Sequence, residues 1–183
     1  MPGVRYYDIR HVQGQVTHID IDNGVCESAA SSFFDHAVIR ALSRQGWGIL
    51  TVDDFQEVRR NEIGSLVDRA ASIAAICEED ISLSQPVRGS HEVPRMAEDP
   101  RDVSLAEKAG ILLELERSAR IPGIQNTRIN YIERFEKTRF CDSTGYENEF
   151  ETCRSGFGVL VVAARNGTLQ MGYERRHTIR GLN

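Results

Sequence analysis

The sequence lacks the short motifs that reveal an enzymatic reaction directly. It contains no G-x-x-x-x-G-K-S/T or G-x-G-x-x-G loop, so nucleotide binding has no support. It also contains no G-x-S-x-G nucleophile elbow, and Cys153-Arg-Ser-Gly has no neighbouring base that the sequence identifies. No catalytic residue is therefore predicted in this chain.

Cysteine pairs and long apolar runs are also missing. The four cysteines (Cys26, Cys77, Cys141 and Cys153) form no C-x-x-C pair and have no spacing typical of a zinc knuckle. No apolar run approaches the roughly 20 residues that a membrane span needs, and residues 1–10 do not resemble a secretory leader. These absences predict a reduced, cytoplasmic protein with no membrane segment.

Positive charge is in deficit as well. The 183 residues carry a net charge of −5, and the pI near 5.6 argues against a nucleic-acid-binding surface. A local excess of arginine near the C-terminus is interpreted as a solvated strand surface. The length favours a single domain over residues 1–183, with two small domains as the alternative.

One segment suggests a zinc site, but its pattern is incomplete. Zinc peptidases use H-E-x-x-H because two histidines one helical turn apart share the metal while the glutamate polarises a water molecule. After His91-Glu92, Arg95 and Met96 occupy the positions where a second histidine would stand, and Pro94 would break the helix. We therefore predict no metal site in this chain.

The other histidines are isolated along the sequence. His11 and His18 can face each other across a first hairpin, which would supply two metal ligands at most. A surface or hydrogen-bonded role is therefore favoured for these residues and for His36 and His177.

The N-terminal part predicts a β-meander. Asn23-Gly24 suits a two-residue type I′ hairpin because both central positions need φ > 0, and Gln13-Gly14 is a second predicted turn. Strands are predicted over Val4–Val12, from Gly14 to the Asn23-Gly24 turn, from Val25 after it, over Phe33–Leu42 and over Trp47–Val52.

The middle of the chain predicts two helices joined by an irregular connector. Apolar residues recur at helical spacing from about Asp54 to Cys77, Ile73 among them. The periodicity disappears across residues 79–102, which contain three of the five prolines. Ser104 and Glu107 then form a capping box that opens a second helix, which includes Leu112 and ends near Ala119.

The C-terminal part returns to strand patterns. Turns are predicted at Asp142–Gly145 and at Asn166-Gly167. Strands are predicted over Thr127–Phe140, Phe150–Cys153, Gly156–Arg165 and Thr168–Tyr173. The order predicts an α+β fold, with largely antiparallel strands at both ends of the chain and two helices in the middle packed on the sheet.

Six short segments are informative as a set. They are Ile19–Glu27, His36–Arg40, Gln45–Ile49, Asp53–Phe55, Asp142–Gly145 and Val161–Arg165. In these segments the chain resembles the N-terminal domain of the TldD/PmbA family, whose members show an Asn-Gly hairpin, an arginine-containing strand and a Gly-Trp-Gly turn. The chain departs from the family pattern at Phe34–Ala37, where small residues are usual, although Arg40 is present.

The resemblance implies metal-dependent peptide hydrolysis by proteins whose subunits pair into homo- or heterodimers. It also implies that zinc is bound by an H-E-x-x-x-H helix in a half that would follow this chain. We therefore expect the chain to be part of a longer protein or a short relative, with a role in substrate positioning and dimerisation. The family's older label, modulator of DNA gyrase, adds a regulatory role as a weaker option.

Two residues match family positions and are the candidate substrate-binding residues, Glu27 and Arg40. Ion pairing between strands explains them equally well. A peptide can add to an exposed sheet edge because main-chain pairing accepts any sequence, and the predicted places are the Asn23-Gly24 hairpin and Phe33–Leu42. The alternative hypothesis is a stand-alone, non-catalytic protein- or peptide-binding module.

Overall fold

The computed structural model describes residues 3–44, 46–74, 81–84 and 98–179. Two short 3-10 helices, Phe55–Glu57 and Pro100–Asp102, precede the two α-helices of this described part. None of its helices is both long and apolar enough to cross a bilayer. The strands and α-helices are β1 Tyr6–Asp22, β2 Val25–Leu42, β3 Trp47–Asp53, α1 Ile63–Ala74, α2 Leu105–Ala119, β4 Ile124–Asp142, β5 Glu147–Arg165 and β6 Thr168–Thr178.

The strands form one six-stranded sheet in the order β3-β2-β1-β4-β5-β6. β2 pairs with β3 in antiparallel fashion, with His36 opposite Asp53 at one end and Leu42 opposite Trp47 at the other. β5 pairs in the same way with the whole of β6. The antiparallel sheet and the two helices confirm the predicted α+β class.

The strands are longer than the sequence pattern predicted. β1 continues through Gln13 and Gly14, so the turn predicted there is wrong. Gly14 is not among the residues with positive φ, and a glycine in extended backbone does not reverse the chain. As a result, His11 and His18 lie on the same strand and do not face each other across a hairpin. β2 and β5 are also single strands where shorter ones were predicted.

The predicted Asn-Gly turns are confirmed. The φ angles are 49° at Asn23, 80° at Gly24, 51° at Asn166 and 76° at Gly167. Positive φ at both central positions is typical of type I′ turns, whose twist matches that of the flanking strands. The turn at Asp142–Gly145 is present too, with a hydrogen bond of 3.1 Å from the last N–H to the first carbonyl.

Gly24 is expected to tolerate a branched side chain poorly. A valine at φ +80° is strained, and an added Cβ would lie 3.4 Å from Oε2 of Glu116. Gly24→Val should lower the free energy of unfolding by about 1–3 kcal/mol. Gly24→Asn is the matched control, because asparagine tolerates this region better. Urea unfolding followed by circular dichroism compares the two variants, and equal stabilities would contradict the role assigned to the turn.

α1 begins later than the predicted helix. Asp54 has a φ of 52°, so no α-helix begins there. The Asp35 carboxylate instead accepts the first two N–H groups of the 3-10 turn, at 3.1 and 3.3 Å. α1 begins at Ile63. Ile73, which the helical pattern placed on the buried face, is 42% exposed, and Cys77 lies outside the described residues.

α2 begins where the sequence predicted. The Ser104 hydroxyl accepts the Glu107 N–H at 3.2 Å, and the Glu107 carboxylate accepts the Ser104 N–H at 2.9 Å. These two bonds complete the capping box, and hydrogen bonding from Ser104 lowers the pKa of Glu107. Leu112 is buried, as predicted. Most of the predicted connector over residues 79–102 lies outside the described residues.

The chain divides into two compact units. Unit 1 contains the described residues of Met1–Gly14, Phe34–Val93 and Glu136–Glu151. Unit 2 contains those of Gln15–Phe33, Pro94–Phe135 and Thr152–Asn183. A single domain over residues 1–183 stays a prediction.

Each unit has an apolar cluster that contains residues of one helix. Alternate residues of a strand point to the same face, which explains the spacing of the strand members in both clusters. The cluster of unit 1 contains Ile9, Ala37, Ile39, Ala41, Leu66, Val67 and Ala70. The cluster of unit 2 contains Ile19, Ile21, Leu112, Ile129 and Tyr131.

Candidate functional site

Arg40, one of the two predicted site residues, is held by a buried carboxylate in unit 1. Its Nε donates to Oδ1 of Asp8 at 2.9 Å, and its Nη2 donates to Oδ2 at 2.7 Å. The Asp8 side chain is 2% exposed, whereas that of Arg40 is 46% exposed. The hydrogen bonds from the guanidinium to this carboxylate raise the pKa of Arg40 and form a strong bidentate pair. Arg40 therefore ties β2 to β1, and its charge is already balanced.

Two aromatic rings complete the surroundings of Arg40. Its guanidinium carbon lies 5.1 Å from the centre of the Trp47 ring, a cation–π distance. Trp47 contacts Tyr6 edge to face, with centroids 5.9 Å apart. Burial, together with the charges of Asp8 and Asp142, raises the pKa of Tyr6 to about 12. Tyr6 is therefore a neutral hydrogen-bond donor near pH 7. The cluster of Arg40, Trp47 and Tyr6 thus has a structural role.

Glu27, the second predicted site residue, has different surroundings. It lies near the start of β2, in unit 2, and is exposed. The structure thus assigns Glu27 and Arg40 to different units. Their assignment to substrate binding stays a prediction.

Glu27 belongs to an exposed edge of the sheet, formed by Val25–Phe33 and called the β2 edge below. All nine residues of this segment are exposed, Val25 by 56% and Phe33 by 81%. β3 pairs with β2 only from His36 to Leu42. Among the described residues, therefore, no strand of the sheet borders the β2 edge on its outer side. Such an edge presents backbone N–H and C=O groups to a further strand.

The described histidines are not gathered into a metal site. His11 Nε2 lies 2.9 Å from Oδ1 of Asp35, and His18 is exposed. Within the part of the chain that the structure describes, no group of three or more His, Cys, Asp or Glu side chains can hold a metal ion. These residues therefore do not fit a zinc site. His91-Glu92 lie outside the described residues.

A cavity of about 480 Å³ lies beside His11 in unit 1. Apolar side chains form much of its wall: Ile9, Phe55, Ile63 and Phe140. Two of its charged residues, Arg139 and Glu149, pair with each other. Burial also raises the pKa of the Cys141 thiol, which keeps it protonated. The cavity thus offers apolar space without an activated nucleophile.

Two family profiles match successive parts of the chain. The profile of the PmbA/TldA metallopeptidase domain 1 matches residues 7–74, and that of the PmbA/TldA metallopeptidase central domain matches residues 98–182. The chain belongs to the TldD/PmbA family. The resemblance inferred from the Asn-Gly hairpin and the Gly-Trp-Gly turn is thereby confirmed.

Curated TldD/PmbA relatives of the chain carry the name metalloprotease. The chain is 29% identical over 175 residues to one from Methanocaldococcus jannaschii, covering 93% of this chain and 38% of the relative. It is 26% identical over 180 residues to one from Archaeoglobus fulgidus, covering 97% of this chain and 40% of the relative. The chain therefore spans about two fifths of the length of these relatives.

Solved TldD/PmbA-type structures share the fold. TldE from Thermococcus kodakarensis matches with a TM-score of 0.77 and 15% identity, over 98% of this chain and 41% of that one. A protein from Thermotoga maritima, named as a candidate modulator of a DNA gyrase, matches with a TM-score of 0.80 and 14% identity, over 97% and 41% of the two chains. At these identities the likeness establishes the fold alone.

The sequence did not predict Asp8 and Asp35, the acidic partners of Arg40 and His11. Asp8 and Asp35 gave no signal because each stands alone in a strand pattern, and the partner of each is more than twenty positions away. The exposed edge predicted at Phe33–Leu42 is wrong for most of its length, because β3 pairs with β2 from His36 to Leu42. The sequence does not say how far β3 extends along β2. A pairing length is a tertiary property.

Proposed function

We propose that this TldD/PmbA chain is the part of a metal-dependent peptidase that positions a peptide substrate without cleaving it. The observation that carries the proposal is the β2 edge, where nine consecutive residues are exposed and β3 does not reach. An extended peptide can add there as a further strand, because its backbone pairs with the N–H and C=O groups of the edge. Binding of this kind accepts many peptide sequences.

The side chains of the β2 edge suit an incoming strand. Phe33 offers one large apolar contact, and Glu27 offers one negative charge. The Ser31 hydroxyl lies 2.8 Å from that of Thr17 on β1, which holds the edge in place before a peptide arrives. The remaining residues between Val25 and Phe33 are small and permit a close approach: Cys26, Ser28, Ala29, Ala30, Ser31 and Ser32.

Peptide cleavage is assigned to residues outside the described ones. The relatives named metalloproteases are longer proteins, of which this chain covers 38% and 40%. We assign the zinc to the part of such proteins that this chain does not cover. A zinc ion there would polarise the scissile carbonyl and activate a water molecule. Arg40 and Asp8 would support the β2 strand.

The opposite edge of the sheet favours a second role, subunit pairing. β6 is the last strand in the sheet order and is exposed along nearly all of its length. Leu169, Met171 and Tyr173 are 68%, 76% and 64% exposed, and their spacing places them on one face. Exposed apolar patches mark interaction surfaces. In a homo- or heterodimer, the second subunit would pack against this face. If the chain is a stand-alone binding module, its bound partner would contact the same face.

Phe33→Ser is expected to weaken binding of a labelled peptide that alternates threonine and valine. The affinity should fall about fivefold, because cross-strand aromatic contacts contribute on the order of 1 kcal/mol. Leu169→Ser on β6 is the matched control, since it removes an exposed apolar side chain from the other edge. Fluorescence anisotropy measures both dissociation constants.

A second probe tests the role of the peptide backbone. The same peptide with methyl groups on its backbone nitrogens cannot donate hydrogen bonds to the β2 edge, so it should not bind. Binding of the methylated peptide, or an equal loss of affinity in both protein variants, would refute the β2 edge as the peptide site.

A further inference from the structure

We propose that a groove along α2 binds a peptide segment in which an arginine stands next to a large apolar residue. The groove, called the α2 groove, has a volume of about 710 Å³ and lies in unit 2. Pockets of roughly 300–1,000 Å³ accommodate ligands of the size of a few side chains. Its apolar and aromatic lining consists of Val103, Ile111, Leu112, Leu115, Tyr131 and Phe157.

The charge of the α2 groove is strongly negative. Four carboxylates line it: Glu98, Asp102, Glu107 and Glu114, all on exposed residues. Among the described residues the lining contains one cation, Lys108, whose Nζ lies 2.7 Å from Oε2 of Glu133. Both of these side chains are buried, 7% and 6% exposed, so the charge of Lys108 is already neutralised. The groove therefore repels phosphates and acidic peptides.

Charge complementarity selects the occupant. An arginine side chain combines an apolar stem with a guanidinium, which matches apolar walls beside exposed carboxylates. Phe157 adds a half-buried aromatic ring, against which a guanidinium also binds favourably. Ile111, 58% exposed on the same helix, offers contact to a neighbouring apolar side chain of the peptide.

The α2 groove is a site different from the β2 edge. Its lining contains none of the residues Val25–Phe33. The inference depends neither on peptidase activity nor on strand addition, so each proposal can fail while the other stands.

The test uses a fluorescein-labelled peptide that alternates arginine and leucine and carries methyl groups on its backbone nitrogens, so that it cannot pair with the β2 edge. This peptide is titrated with the whole chain. A second peptide carries citrulline in place of arginine, which keeps the shape and removes the charge. The groove variant combines Glu98→Gln, Asp102→Asn and Glu114→Gln. The control variant combines Glu57→Gln, Asp68→Asn and Glu174→Gln, exposed acids outside the groove lining. Both triple variants change the net charge by the same amount.

The groove variant is expected to bind the arginine peptide about tenfold more weakly, because each exposed ion pair contributes modestly and three are removed. The control variant and Phe33→Ser should bind the arginine peptide like the unaltered chain, whereas Ile111→Ser should bind it more weakly. Added salt should weaken binding of this peptide to the unaltered chain. Equal binding of the citrulline peptide, or an equal loss in the control variant, would overturn the proposal. If only Phe33→Ser lost affinity for the arginine peptide, the peptide would bind at the β2 edge, and its assignment to the α2 groove would be wrong.

Discussion

Gly48→Ala is expected to destabilise the protein strongly, although it adds a single methyl group. A Cβ at Gly48 would lie 1.7 Å from the carbonyl oxygen of Ala70 and 2.8 Å from the backbone nitrogen of Ala74. Both neighbours are backbone atoms of α1, so they cannot move aside as a flexible side chain would. The helix and β3 would have to separate, and the free energy of unfolding should fall by about 3 kcal/mol, the upper end of the cost of overpacking. Thermal and urea unfolding measure this loss.

Gly110→Ala provides a matched control for the same chemical change. Gly110 lies in α2, and a Cβ there would meet no atom within 4 Å. Alanine has a higher helix propensity than glycine, so this variant should gain about 0.5–1 kcal/mol. If Gly48→Ala were as stable as Gly110→Ala, the close approach of α1 to β3 would be wrong.

Glu133→Gln is expected to produce the second large effect. The carboxylate of Glu133 accepts from Nζ of Lys108 and from the hydroxyl of Tyr131, both at 2.7 Å. The substitution preserves the shape of the side chain but leaves the buried ammonium without its counter-charge. Breaking a buried ion pair from one side costs about 3–5 kcal/mol, and the free energy of unfolding should fall by about 3 kcal/mol. Urea unfolding at neutral pH measures the change.

The double variant Lys108→Met/Glu133→Gln is the control for this prediction. It removes both charges, and the Tyr131 hydroxyl can still donate to the glutamine carbonyl. Most of the lost stability should return, because replacing a buried pair by neutral groups is often close to neutral. A double variant as unstable as Glu133→Gln would show that packing, and not the unpaired charge, causes the loss.

Local chemistry made several elements predictable. The two Asn-Gly turns need positive φ at both central positions, a requirement that a dipeptide satisfies without help from the rest of the chain. The capping box of Ser104 and Glu107 also acts within four residues. Predictions failed where a local signal competed with long-range pairing, as at Gln13-Gly14, where β1 continues because its neighbours supply partners on both sides.

The candidate site was predictable only in part. The family resemblance drew attention to Arg40 and Glu27, but it did not indicate that Arg40 is engaged by Asp8. The spacing of the histidines suggested at most a two-ligand arrangement, and one continuous strand separates the pair that the hairpin was expected to join. The α2 groove had no sequence signal, since Glu98 and Asp102 precede α2 while Glu107 and Glu114 occupy ordinary positions within it.

The order of residues alone predicted the TldD/PmbA family, the turn positions, the start of α2 and the antiparallel α+β class. Each of these is indicated by residues that lie close together in the chain. Only the tertiary structure decided the length of the strands, the exposure of the β2 edge, the close contact at Gly48 and the neutralisation of Lys108 by Glu133. The physical reason is the same in each case: pairing, burial and charge compensation depend on residues that are distant in sequence, and a linear pattern does not specify which of them meet.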